Sequence, residues 1–128
     1  MYIDHIAIWT NDLERLRDFY IRFFDCHVSH RYDNIKKQFS SYFLSFQDGA
    51  RIEIMKRPDI TENPDKERTG LAHFSLVVGT CEEVDAMTRK LELAGVEVYS
   101  YPRTTGDGYY ESVILDPDKN KIEITASR

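Results

Sequence analysis

Apolar and polar positions follow one plan in the first half of the chain: a strand, then a helix, then further strands. Residues 3–9 are apolar and rich in β-branched side chains, which predicts a strand. Asn11, with Glu14 three positions later, predicts the start of a helix that ends near Phe24. The apolar stripe of this helix recurs at helical spacing and consists of Leu13, Leu16, Tyr20 and Phe23. Further strands are predicted at 27–32, 39–46 and 51–56.

The second half of the chain repeats this plan. A strand is predicted at 73–78, and Thr80 followed by Glu83 predicts a helix start. Gly95 predicts the end of that helix. The apolar stripe consists of Val84, Met87, Leu91 and Ala94. The later strands are predicted at 96–101, 109–115 and 121–125, with a turn at 116–120 before the last one.

A polar segment without apolar periodicity, residues 58–70, separates the two halves and is predicted to be a linker. The chain is therefore divided into a first βαβββ module at 1–57 and a second at 71–128, which together form one compact domain. We predict an α+β fold in which the curved mixed sheets of the two modules surround a central cleft.

Each module carries one histidine and one glutamate at matching positions. The segment 3–8 around His5 is echoed by 71–76 around His73, and 51–55 around Glu53 by 121–125 around Glu123. The histidines are 73 − 5 = 68 positions apart and the glutamates 123 − 53 = 70. Isoleucines flank both glutamates, so strand alternation places each glutamate on the face opposite the helix.

Taken singly, these residues have ordinary explanations. A lone histidine on a strand is usually a hydrogen-bonded core or rim residue, and a lone glutamate is usually on the solvent side of an amphipathic strand. Two histidines and two glutamates at matching places of a repeat instead favour four ligands that converge on one metal ion.

Composition narrows the possible functions. At 128 residues the chain is about the size of one domain, and a formal charge of −5 argues against nucleic acid as a partner. No apolar run approaches the ~20 residues of a membrane helix, and strand-like sequence from the first residues predicts no targeting segment. Cys26 and Cys81 match neither a disulfide framework nor a zinc site, which predicts a reducing, cytoplasmic setting.

The whole chain resembles the vicinal-oxygen-chelate superfamily, which includes glyoxalase I, methylmalonyl-CoA epimerase, extradiol dioxygenases, fosfomycin-modifying transferases and bleomycin-binding proteins. The resemblance rests on five short motifs, and Lys119 stands in the last of them where members usually have glycine. These motifs are Asp4-His5-Ile-Ala-Ile, Asp18-Phe19-Tyr20, Ile52-Glu53, His73-Phe-Ser-Leu-Val-Val and Asp116-Pro-Asp-Lys-Asn-Lys-Ile-Glu123.

The resemblance implies a glyoxalase-like fold and one divalent metal ion, Ni, Co, Zn, Mn or Fe. The implied ligands are His5, Glu53, His73 and Glu123, and this full set is similar to that of glyoxalase I. Such an ion would hold a substrate by two adjacent oxygens and stabilise the enediolate that forms when a carbon-bound proton leaves. A ligand glutamate would carry that proton, with Glu123 as the first candidate and Glu53 as the second.

Two departures bear on the substrate. Glutathione-using relatives tend to have Arg where this chain has Trp9, and Asn where it has Arg57. These departures argue against a glutathione cosubstrate, and Trp9, which shares a face with His5, favours a different, apolar substrate. Trp9, Arg57 and Tyr110 are the candidate substrate-binding residues.

Two other functions remain open from the sequence. One is an extradiol-type dioxygenase, although a fourth protein ligand such as Glu53 would occupy space that oxygen needs. The other is a non-catalytic protein that binds a small drug or toxin. In each case the expected partners are a small molecule and a second copy of the chain in a homodimer, without nucleic acid or membrane.

Overall fold

The structure is a computed structural model that describes residues 1–63 and 66–128. The chain forms two compact units, Met1–Asn63 and Pro64–Arg128. Part of the predicted linker, residues 64 and 65, lies outside the described residues. Neither helix of the described chain is long and apolar enough to cross a membrane.

The first unit contains one helix and one mixed sheet. Its elements are β1 (His5–Trp9), α1 (Leu13–Phe24), β2 (His27–Val28), β3 (Tyr32–Asn34), β4 (Phe39–Ser45) and β5 (Arg51–Lys56). The strand order is β1-β5-β4-β2, and β3 also pairs with β4. β1 runs parallel to β5, and the other pairs are antiparallel.

The second unit repeats this arrangement with four strands. Its elements are β6 (His73–Gly79), α2 (Cys81–Leu93), β7 (Val98–Thr104), β8 (Tyr110–Leu115) and β9 (Lys121–Ala126). The strand order is β6-β9-β8-β7, with β6 parallel to β9. The predicted α+β class, with a strand–helix–strands module in each half, is confirmed.

Each sheet buries one face against the helix of its own unit. Ile52 and Ile54 of β5 are 3% and 0% exposed, and Ile122 and Ile124 of β9 are both 0% exposed. The predicted stripe of α1 is confirmed, since all four of its residues are buried. Because strand side chains alternate, Glu53 and Glu123 lie on the opposite face from these isoleucines. The core of each unit therefore fixes the direction in which its glutamate points.

The start of α1 differs from the prediction by one residue. The helix is capped by Asp12, whose carboxylate accepts a hydrogen bond from the Arg15 backbone N–H at 3.0 Å. The Asn11 side-chain amide instead donates to the Thr61 carbonyl oxygen at 3.4 Å. The prediction of an Asn11 cap was wrong by one residue, because Asn and Asp are equally suited to cap a helix and stand next to each other here.

The strand predicted at 27–32 is divided into the short strands β2 and β3. The Ser29 hydroxyl accepts the Phe43 backbone N–H at 2.9 Å. In a continuous strand the Phe43 N–H would instead donate to a backbone carbonyl oxygen. Because the Ser29 side chain accepts it, the strand is interrupted at this position.

The buried stripe of α2 consists of Val84, Thr88 and Leu91, whereas Met87 is half-buried and Ala94 is exposed. Thr88 tolerates burial because its hydroxyl donates to the Val84 carbonyl at 2.7 Å and lies 2.6 Å from the Ser112 hydroxyl. The prediction that Met87 and Ala94 complete the stripe was wrong, because hydrogen bonding lets a polar residue take the buried place.

The ends of α2 follow the prediction more closely. Thr80 and Glu83 form a capping box, and the Glu83 carboxylate accepts the Thr80 N–H at 2.6 Å. Gly79 adopts φ 130°, and a side chain there would overlap the Glu83 carboxylate. At the other end, Gly95 has φ 87°, and the Val96 N–H still bonds the Leu91 carbonyl.

The next strand begins later than predicted, because Val96 still takes part in the end of the helix. β7 begins at Val98 rather than at residue 96, and it continues through Pro102 to Thr104. Proline is tolerated because β7 is the edge strand of its sheet.

Candidate metal centre

The first unit brings His5 and Glu53 together. β1 and β5 are parallel neighbours in which Ala7 is opposite Glu53, so the two side chains emerge on the same face. His5 Nε2 lies 3.7 Å from Glu53 Oε2. The Glu53 side chain is only 16% exposed, whereas that of His5 is 38% exposed and accessible to a ligand.

The neighbouring Asp4 orients the His5 ring. Asp4 Oδ2 lies 2.8 Å from His5 Nδ1 and 2.5 Å from Arg51 Nη2. The hydrogen bond with His5, and then the one with Arg51, lowers the pKa of Asp4 below its ordinary value. An ionised carboxylate can only accept, so Nδ1 donates, and in the neutral ring the lone pair is then on Nε2, the nitrogen on the side of Glu53. This is the tautomer that a metal ligand at Nε2 requires.

The second unit brings His73 and Glu123 together in the corresponding way. Ser75 of β6 is opposite Glu123 of β9, as Ala7 is opposite Glu53. His73 Nε2 lies 3.0 Å from Glu123 Oε1. The residue before His73 is Ala72, so the second unit has no carboxylate at the place of Asp4.

The separation within each pair fits two neighbouring ligands of a metal ion. Two donor atoms at about 2.1 Å from an ion and at right angles are about 3 Å apart. The observed separations of 3.7 and 3.0 Å are close to that spacing. Among all the described residues, no group of three or more His, Cys, Asp or Glu side chains is arranged to hold a metal ion. The structure therefore shows one imidazole nitrogen beside one carboxylate oxygen in each unit.

A third acidic residue of the second unit, Glu111, was missed from the sequence. Glu111 of β8 is opposite Thr125, so it lies on the same face of the sheet as Glu123, and it is 7% exposed. Burial raises the pKa of the Glu111 carboxyl and the Glu123 carboxylate raises it further, against the opposing effect of Arg103. Arg103 Nη1 lies 3.9 Å from Glu111 Oε1. The only sequence signal was a charged residue within a largely apolar strand.

Two of the three candidate substrate-binding residues lie together in the first unit, and the third lies in the second unit. Trp9 is on the His5 face of β1, and the Arg57 guanidinium lies 5.2 Å from the centre of its ring. Tyr110 is in the second unit, where its hydroxyl donates to Asp85 of α2 at 2.7 Å. Tyr110 therefore lies on the helix face of its sheet, away from His73 and Glu123, whereas Trp9 and Arg57 are adjacent.

Both cysteines are free thiols. Burial raises the pKa of the Cys26 thiol, which disfavours a reactive thiolate, and Cys81 is exposed at the start of α2.

The sequence matches the model of the Glyoxalase/Bleomycin resistance protein/Dioxygenase superfamily over residues 2–124. The chain therefore belongs to this superfamily. It is also 30% identical over 127 residues to the uncharacterized protein YqjT of Bacillus subtilis. The aligned residues make up 95% of this chain and 96% of that protein.

Solved structures of the same fold agree. The glyoxylase/bleomycin resistance protein/dioxygenase domain from Frankia sp. EAN1pec superposes with a TM-score of 0.84 over 100% of this chain and 98% of that one, at 19% identity. The trypanothione-dependent glyoxalase I of Leishmania major gives a TM-score of 0.78 over 98% and 86%, also at 19% identity. At these identities, the likeness establishes the fold.

Proposed function

We propose that the protein is a metal-dependent lyase or isomerase of the glyoxalase I type, which moves a proton on a small substrate held through two adjacent oxygens. The observation that carries this proposal is the matched His–Glu pair in each unit, with nitrogen–oxygen separations of 3.7 and 3.0 Å. The superfamily includes proteins named for glyoxalase, bleomycin resistance and dioxygenase functions, and the complete ligand set favours the first.

The proposed ligands of one divalent ion are His5, Glu53, His73 and Glu123. Two neutral imidazoles and two carboxylates offset the charge of the ion, and Ni, Co, Zn, Mn and Fe all accept such donors. When bound, the ion would withdraw electron density from two adjacent substrate oxygens and so make the neighbouring carbon-bound proton acidic.

The residues of the chain supply the remaining steps. Asp4 holds the His5 ring in the ligating tautomer through the 2.8 Å hydrogen bond. Glu123 is our first choice as the base; its side chain is 17% exposed and that of Glu53 is 16% exposed, so both carboxylates are shielded from most of the solvent. Its carboxylate would take the proton from one carbon and return it to the next, and Glu53 is the second choice.

Measurement of bound metal tests this proposal directly. Protein purified without chelator is expected to hold about one divalent ion per chain by mass spectrometry, because the two histidines and two glutamates of each chain make up one proposed four-ligand set. Glu53→Gln and Glu123→Gln should each lower this content, whereas Glu97→Gln, which changes an exposed carboxylate paired with Lys119, should not.

Other results of the same measurement would contradict the proposal. Two ions per chain, one lost in each variant, would mean that each pair binds its own ion. Protein that cannot be loaded with any of the five metals would favour a non-catalytic ligand-binding protein. Light scattering on the same samples tests the proposed homodimer.

Removal of the Asp4 carboxylate is a second test. Asp4→Asn is expected to lower metal affinity about 10- to 100-fold, because the amide no longer fixes the His5 ring through a charged hydrogen bond. A competitive chelator titration measures the affinity. Asp33→Asn is the matched control, since Asp33 is also an arginine-paired aspartate but lies on β3. Equal affinity in the two variants would show that Asp4 does not support a ligand.

A further inference from the structure

A cavity of about 320 Å³ lies beside the end of β1 in the first unit. It is lined by Trp9, Tyr32, Asn34, Lys37, Phe39 and Arg57. Phe39 lies between the other two rings, with its centroid 6.2 Å from that of Trp9 and 6.1 Å from that of Tyr32. The volume of the cavity is at the lower end of the range for small-molecule sites, and its aromatic walls suit a flat apolar group.

Two cationic side chains line the same cavity. Arg57 covers the Trp9 ring, and its Nε donates to Asp59 at 2.6 Å. Lys37 is held by its backbone N–H, which donates to Asn34 Oδ1 at 3.1 Å. Within the described residues, no carboxylate pairs with the Lys37 ammonium group. Two cations and one anion leave a local positive charge on a chain whose formal charge is −5, and this favours an anionic ligand.

The aromatic rings of this cavity are accessible to a ligand. Trp9 is 38% exposed and Tyr32 is 54% exposed. Exposed aromatic residues grouped around a cavity are typical of a binding site, whereas core aromatics are buried.

The cavity lies on the same face of the sheet as the metal-ligand pair of the first unit. His5 and Trp9 are four positions apart on β1, which corresponds to about 13 Å along a strand. Met55, opposite Trp9, is two positions from Glu53 on β5. One elongated molecule could therefore place a ring in the cavity and its reacting end near His5 and Glu53.

We propose that this cavity binds the aromatic carboxylate portion of the substrate, with the ring among Trp9, Tyr32 and Phe39 and the carboxylate at Lys37 and Arg57. This inference rests on the proposed function for the identity of the ligand as substrate. It names the substrate class as small ring-bearing carboxylic acids that carry adjacent oxygens at the far end.

Trp9 is the single tryptophan of the chain, so tryptophan emission reports on this cavity directly. Metal-free protein is titrated with 3-phenylpropionate, with the neutral 3-phenylpropionamide, and with hexanoate, which lacks a ring. The phenyl carboxylate is expected to change the emission saturably, and more tightly than either analogue. Because the attraction is partly ionic, binding should weaken as salt is added.

Lys37→Gln is expected to weaken this binding about two- to fivefold, the effect of losing a partly exposed ion pair. Lys36→Gln is the matched control, since Lys36 is the preceding lysine and does not line the cavity. Arg57→Gln should weaken binding as well.

Three results would overturn the inference: no saturable change, equal binding of the amide, or equal effects of the two lysine variants. A fourth result would also overturn it: tryptophan emission that changes with protein concentration and not with added ligand. That result would mean that a second copy of the chain covers the cavity. The use of metal-free protein separates the two proposals. Metal binding without phenylpropionate binding leaves the proposed function intact, and the reverse result leaves only the binding cavity.

Discussion

Glu123→Gln, loaded with metal to saturation, is expected to turn over substrate about 10² to 10⁴ times more slowly than the wild type. Glutamine keeps an oxygen that can face the ion, but its neutral amide cannot accept the proton from carbon. The loss should therefore persist at saturating metal and should appear in kcat, because the step removed is chemical.

The assay uses hemithioacetals of methylglyoxal with glutathione and with simple thiols, together with epimerisable thioesters. Saturation with metal separates the two roles of the residue, because weaker metal binding is then overcome. Glu53→Gln should recover most of its activity under these conditions. Full recovery by Glu123→Gln, with a lasting loss in Glu53→Gln, would make Glu53 the base. Glu62→Gln, at an exposed position outside the helices and strands, is the control.

Ile124→Ala is expected to lower the free energy of unfolding by about 2–5 kcal/mol. Ile124 is fully buried on β9, with β6 on one side and β8 on the other. Truncation to alanine removes apolar contacts with the helix layer and leaves a cavity. Since domains of this size are stable by only about 5–15 kcal/mol, this is a large fraction of the total.

Urea unfolding followed by circular dichroism measures this effect. Val77→Ala is the control because Val77, on the neighbouring strand β6, is 67% exposed. It should change the unfolding free energy by no more than about 0.5 kcal/mol. Similar losses in the two variants would mean that burial on the helix face is not what holds β9 in place.

The sequence was sufficient to predict the features that repeat. Isoleucines on both sides of Glu53 and Glu123 determine the faces of β5 and β9, because a strand whose alternate residues are apolar can be buried in only one way. The capping box at Thr80 and Glu83 was equally readable, since all its contacts are local.

Features that depend on distant contacts were not readable. The interruption between β2 and β3 follows from the Ser29–Phe43 hydrogen bond, whose partners are 14 positions apart. The support of Asp4 by Arg51 arises from the parallel register of β1 and β5. In β8, Val113, Ile114 and Leu115 are consecutive apolar residues, so alternation did not indicate which face of the sheet Glu111 occupies and which face Tyr110 occupies.

The unequal surroundings of the two histidines give the proposed centre an order of assembly. His5 is held by Asp4 in one tautomer before any ion arrives, whereas Ala72 offers no such restraint to His73. Capture of an ion would therefore begin in the first half, and release would begin in the second. Two halves that carry the same pair of residue types would in this way divide between them the tasks of anchoring the ion and of exchanging it.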